Sequence, residues 1–126
     1  MKMERDHMVP LSRQAVSVMT EVRKFTQGEH YVFHQLNNPK KPMSENTMLY
    51  SMYRMGYHGR ATVHGFRATA STILNEKGFR EDVIEKLLSH QDGNKVRAAY
   101  NRAEYLDERR EVLQWWADYL DEISVD

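Results

Sequence analysis

The 126-residue chain contains no cysteine. That absence excludes disulfide cross-links, thiol catalysis, cysteine-ligated zinc and iron–sulfur clusters. No apolar run approaches the roughly 18 residues needed to span a bilayer. The polar start Met1-Lys2-Met3-Glu4-Arg5-Asp6 has no apolar segment behind it, unlike a secretory signal. The expectation is a soluble, cytoplasmic protein with no membrane partner. Excess charge of one sign is also missing, since 18 Lys and Arg balance 18 Asp and Glu. Nucleic-acid binding usually shows a positive surplus, so the total gives no pointer to it.

The distribution of charge is less even. Residues 1–63 hold nine basic and five acidic side chains, and residues 64–126 hold nine and thirteen. Eight of those acids lie in residues 104–126, against two arginines. A basic front with an acidic tail can present a positive face, although solvated helix surfaces give the same asymmetry. A chain of this length suits one domain and buries about two-thirds of its unfolded surface. Residues 1–126 are therefore expected to be a single domain, with 104–126 as an amphipathic helical tail.

Hydrophobic spacing predicts a mainly α chain with a small β element near its start. His7-Met8-Val9-Pro10-Leu11 reads as the end of a strand. Ser12 then offers a helix cap, and Ala15, Val18, Met19, Val22 and Phe25 recur at helical spacing up to Gly28. Tyr31-Val32-Phe33 is strand or extended, and Asn37 to Pro42 reads as a loop. Met48, Leu49, Met52 and Tyr53 make one face of a second helix, broken by Gly56 and Gly59. Phe66, Ala70, Ile73 and Leu74 define a third, ended by Gly78. Val83, Ile84, Leu87 and Leu88 define a fourth, closed by His90, with Glu81 and Asp82 at its positive end. Leu106, Leu113, Trp116, Ala117 and Leu120 line a last long helix. A lone strand at the start would lack a partner, so the chain reads as a piece of something longer.

The chemistry-bearing residues are scattered. His64 and Arg67 lie three apart at the start of the third helix, hence on one face. Gly65 sits between them, where backbone can approach a ligand closely. A guanidinium and an imidazole at a helix N-terminus suit a phosphate; the plain alternative is an exposed arginine and a capping histidine. His90 by itself reads as a favourable cation at a helix C-terminus. A metal site formed from His64 and His90 lacks a carboxylate or cysteine at ligand spacing. Tyr100 stands between arginines 97 and 102 with alanines before it, which suits a presented phenol, and Tyr105 is its rival. Lys2, beside the expected strand, is by default a solvated lysine.

Taken in order, Lys2, His64-x-x-Arg67, Leu88-Ser89-His90 and Tyr100 resemble the catalytic domain of tyrosine recombinases, the phage integrase family. Met8-Val9-Pro10-Leu11-Ser12, His64-Gly65-Phe66-Arg67-Ala68-Thr69, Ala98-Ala99-Tyr100-Asn101-Arg102 and Gln114-Trp115-Trp116-Ala117-Asp118-Tyr119-Leu120 resemble integrases of prophages, satellite phages and genomic islands of enteric bacteria. The likeness runs over essentially the whole chain. It implies the C-terminal part of the DNA breaking–rejoining fold and recombination through a covalent 3′-phosphotyrosine. In that scheme Tyr100 attacks the phosphate, Arg67 clamps its oxygens, and His90 donates to it. His64 assists as acid/base or orients the phosphate, and Lys2 protonates the leaving 5′ oxygen. No cofactor or metal is implied.

The implied partners are double-stranded attachment-site DNA and sister integrase protomers on it; the chain alone is expected to be monomeric. The family also uses an arginine upstream of the lysine hairpin, to which no residue here corresponds, so impaired cleavage is expected. Serine at 89 stands where many relatives carry glycine. The alternatives are a non-catalytic remnant that binds DNA or a partner integrase, and a helical interaction module.

Overall fold

The computed structural model describes residues 6–26, 30–89 and 104–124. Its elements are α1 (Arg13–Thr26), β1 (His34–Gln35), β2 (Asn38–Pro42), α2 (Thr47–Arg54), α3 (Val63–Lys77), α4 (Glu81–Leu87) and α5 (Leu106–Ile123). Among the described residues the architecture is mainly α with one two-stranded antiparallel sheet. Two compact units form, one of Met1–Ser12 with Ser71–Asp126 and the other of Arg13–Ala70. The division falls within α3, after Ala70.

The first unit owns most of the core. Leu74, Val83, Ile84, Leu88 and Val112 form one buried cluster, with Phe79, Leu87, Tyr105, Trp115 and Trp116 packed around it. The turn from α3 into α4 is a Schellman cap. The amide of Gly78 donates to the Asn75 carbonyl at 3.1 Å and that of Phe79 to the Leu74 carbonyl at 3.3 Å. Gly78 takes φ +96°, which only glycine adopts cheaply, and Phe79 is thereby folded back onto the core. There its ring meets Trp115 edge-on at 5.4 Å. Trp115 in turn stacks on Tyr119 at 5.3 Å with Lys77 over its face.

The face that α5 turns to the core is rotated from the expected one. Arg109 and Val112 are its buried residues, whereas Leu120 is exposed. Residues 6–12 form no strand. The Met8 carbonyl is taken instead by the Arg109 guanidinium, at 2.8 Å from Nη1.

In the second unit, Ala15, Met19 and Val22 of α1 are half-buried, but Val18 and Phe25 stand exposed, so the apolar stripe is wider than this unit covers. Met52 is the buried residue of α2. The helix ends where expected, with Gly56 at φ +88° and the Tyr57 amide reaching back to the Met52 carbonyl at 3.0 Å. The strand β2 lies in the segment expected to be a loop, with β1 just before it. His34 faces Pro42 and Gln35 faces Asn38 across a tight connection, and the Met43 amide donates to the Phe33 carbonyl at 3.0 Å. Pro39 and Pro42 are tolerated because a two-stranded sheet is all edge.

His34 fastens this sheet to α1. Its Nδ1 lies 2.7 Å from the Gln35 carbonyl oxygen and its Nε2 2.7 Å from that of Thr26, in the last turn of α1. Only the imidazolium donates from both nitrogens, so the carbonyl of Gln35 first, and that of Thr26 second, hold its pKa above 6.5. A pKa raised by folding gives stability that is complete below the unfolded value and is lost as pH rises through the folded one. Thermal unfolding should therefore move to lower temperature from about pH 6.5 upward, and a His34→Gln variant should lack that part of the pH dependence. Equal pH profiles for the two proteins would exclude this role.

Candidate active site

The N-terminus of α3 is built around Thr62. Its hydroxyl accepts the Gly65 amide at 2.9 Å, the bond of an N-cap, so the capping residue is Thr62 and not His64. Gly65 has a local reason to be glycine. A Cβ at that position would stand 2.8 Å from the same hydroxyl oxygen, so any larger residue dislodges the cap. This leaves His64 exposed in the first turn of α3 and Arg67 half-buried one turn on. Both belong to the second unit. An imidazole and a guanidinium on one face near a helix start can hold a phosphate through dipole, charge and directed donors together.

The C-terminal end of α4 lies in the first unit. Leu88 closes the helix and Ser89 follows with φ +54°; its amide donates to the Lys86 carbonyl at 3.1 Å. This is the left-handed position after a helix, where a Cβ costs energy and glycine does not. The serine of the Leu88-Ser89-His90 triplet is therefore a strained residue directly before His90. Ser89→Gly should raise stability by about 0.5–1 kcal/mol, the relief of left-handed strain outweighing the freer unfolded chain. A denaturant midpoint below that of the parent would contradict this.

Tyr105 caps α5 with φ +48° and packs on the core, its ring under the Arg80 guanidinium at 4.9 Å. Arg80 also meets the Glu108 carboxylate at 3.4 Å. Tyr105 is thus engaged in packing. Lys2, His90 and Tyr100 lie outside the described residues. Of the five residues expected to act on DNA, the described structure holds His64 and Arg67, one helical turn apart. Thr62 and Arg109 were missed from the sequence. Thr62 has a readable signal, a threonine directly before a helical pattern, whereas Arg109 sits among Glu108, Arg110 and Glu111 and reads as a solvated charge run. Among the described residues no three His, Cys, Asp or Glu side chains stand together to hold a metal ion, and no helix is long and apolar enough to cross a membrane.

The model of the phage integrase family matches residues 1–106. The chain belongs to the phage integrase family. Prophage integrase IntA of Escherichia coli (strain K12) is 46% identical over 120 residues, which cover 95% of this chain and 29% of that protein. The integrase of Shigella phage Sf6 is 45% identical over 123 residues, covering 97% and 32%. The integrase of Enterobacteria phage P4 is 45% identical over 125 residues, covering 96% and 28%. This integrase-family chain thus spans about a third of the length of the curated relatives it matches. Its fold class is that of the tyrosine recombinase catalytic domain. No solved structure matches.

Proposed function

We propose that this chain carries the strand-cleaving part of a site-specific DNA recombinase, which cuts and rejoins attachment sites through a 3′-phosphotyrosine. The observation that carries the reading is the start of α3, where His64 and Arg67 share a face one turn apart beside a capped helix N-terminus in a chain of the phage integrase family. In this reaction the Tyr100 oxygen bonds to phosphorus as its proton leaves to a base. The bond from phosphorus to the 5′ oxygen breaks, and the Lys2 ammonium supplies the proton that makes the leaving group a hydroxyl. Arg67 and His90 bind the non-bridging oxygens, whose negative charge grows in the transition state. His64 orients the phosphate or moves a proton. The energy of the broken bond is kept in the phosphotyrosine, so rejoining by a second 5′ hydroxyl is the same step reversed. Sister protomers on paired sites supply the second strand.

The test is binding to duplex DNA measured across salt concentrations. A chain gripping several phosphates loses affinity linearly on a log–log plot, with a slope of roughly −0.9 per phosphate contacted. Binding with that slope supports a recombinase, and absence of any salt-dependent binding overturns it in favour of a helical interaction module. A nicked duplex separates the two tyrosines. Tyr100→Phe should abolish any covalent DNA adduct and leave binding intact, whereas Tyr105→Phe should leave the adduct.

A further inference from the structure

The balanced total charge of the chain hides two unlike units. The unit Arg13–Ala70 holds eight Lys and Arg against three Asp and Glu, whereas the rest of the chain holds ten against fifteen. Two of those eight, Lys40 and Lys41, stand exposed on strand β2. Leu36, in the two-residue turn between β1 and β2, is 96% exposed, more than any other large hydrophobic residue among the described ones.

The hairpin that carries them is braced. At its base the Met43 amide donates to the Phe33 carbonyl at 3.0 Å, and the His34 ring nitrogens lie 2.7 Å from the carbonyls of Gln35 and Thr26. The neighbours His34 and Gln35 face Pro42 and Asn38, so Pro39, Lys40 and Lys41 bulge out opposite no residue of β1. The Asn38 side chain holds that bulge by accepting the Lys40 amide at 3.0 Å, and the two prolines fix φ on either side of the lysines. Among the described residues neither ammonium meets a carboxylate. A leucine left in water and two adjacent like charges return nothing to the fold. Their fixed display on a braced bulge and turn suits a contact with something else.

We propose that the β1–β2 hairpin is a second duplex-DNA contact of this chain, in which Lys40 and Lys41 hold phosphates and Leu36 enters the minor groove. The proposal rests on the recombinase reading above and adds to it a contact made by residues other than His64 and Arg67. Charge selects the occupant, since a unit rich in cations with two free ammonium groups matches a polyanion. The leucine selects the groove. An apolar wedge flanked by lysines is the chemistry that parts a base step and kinks the duplex while the backbones are held. A minor groove about 6 Å wide excludes a helix but admits one side chain from a tight turn. The contact reads no base edge; it favours steps that unstack easily, such as TA.

The test uses the whole chain and a short duplex containing TA steps, with one dye at each end. Binding of the parent should raise energy transfer between the dyes as the duplex bends by roughly 20° or more. Leu36→Ser should lose at least half of that rise and bind about tenfold more weakly at unchanged salt slope, the loss of one buried leucine. Leu36→Met, still an apolar wedge, should keep most of both. Lys40→Ala with Lys41→Ala should flatten the slope of log affinity against log salt by about 1.8, for two phosphates released. All three changes fall on exposed side chains, so thermal unfolding should match the parent; loss of the folded state would overturn the proposal by making the hairpin part of the core. An unchanged slope in the lysine variant, or unchanged energy transfer in Leu36→Ser, overturns it while parent binding keeps the recombinase reading. A parent that binds no DNA at any salt sinks both. A light-scattering mass that falls from dimer to monomer in Leu36→Ser, with DNA binding unaltered, overturns it by giving the hairpin to a second copy of the chain.

Discussion

Leu74→Ala should lower the stability of the first unit by about 3 kcal/mol, since burying a leucine and then truncating it removes transfer energy and leaves a cavity. Leu74 is 1% exposed and lies where α3, α4 and α5 share one cluster with Val83, Ile84 and Val112. The cluster is small, so its remaining members have little freedom to close over the void. Its carbonyl also accepts the Phe79 amide in the α3–α4 turn, which places backbone strain on any collapse. Against a total of roughly 5–15 kcal/mol for a domain, the loss should appear as a fall in melting temperature of more than 10 °C. Phe25→Ala and Leu36→Ala provide the contrast. These side chains are 86% and 96% exposed, and their removal should change stability by less than about 0.5 kcal/mol. A Leu74→Ala variant within 1 kcal/mol of the parent would show that this cluster is not the core of the unit.

The contrast between Leu74 and Phe25 also measures what could be read from spacing. Both sit at helical periodicity on apolar stripes, and periodicity states only that a face is apolar, not that anything covers it. Leu74 of α3 and the stripe of α4 were legible because they flank hard punctuation, a glycine in a left-handed turn and acids at a helix start, whereas Phe66 on the same expected stripe of α3 stands exposed. The sheet at residues 34–42 was not legible, since Pro39 and Pro42 suppress the strand signal that a two-stranded edge does not need. The expected strand at 7–11 does not form among the described residues, where the Met8 carbonyl is bound by Arg109. That arginine occupies a core position on α5, and polarity pattern places every arginine outside. In the site, the shared face of His64 and Arg67 follows from their spacing alone. The roles proposed for Tyr100, His90 and Lys2 rest on resemblance, because no local pattern joins residues so far apart in sequence.

Replacing Arg67 with alanine should weaken binding to duplex DNA roughly ten- to a hundredfold near physiological salt. A hydrogen bond to a charged group contributes about 1.5–3 kcal/mol, and a guanidinium on a phosphate makes two in parallel. Arg67 stands half-buried in the second turn of a helix whose start is fixed by the Thr62 cap. The lost contact should also flatten the slope of log affinity against log salt by about 0.9. Two companions separate charge from geometry. Arg67→Lys keeps the charge and should recover the slope but not the full affinity, because an ammonium cannot bind two oxygens in one plane. Thr62→Val keeps every charge and removes the cap, so it should reduce affinity modestly at unchanged slope as the first turn loosens. Lys24→Ala is the null comparison, its ammonium being held by Glu21 at 2.8 Å on an exposed face of α1. Equal affinity and slope for the parent and Arg67→Ala, with both proteins folded, would remove Arg67 from the phosphate site and leave the first turn of α3 without a function on DNA.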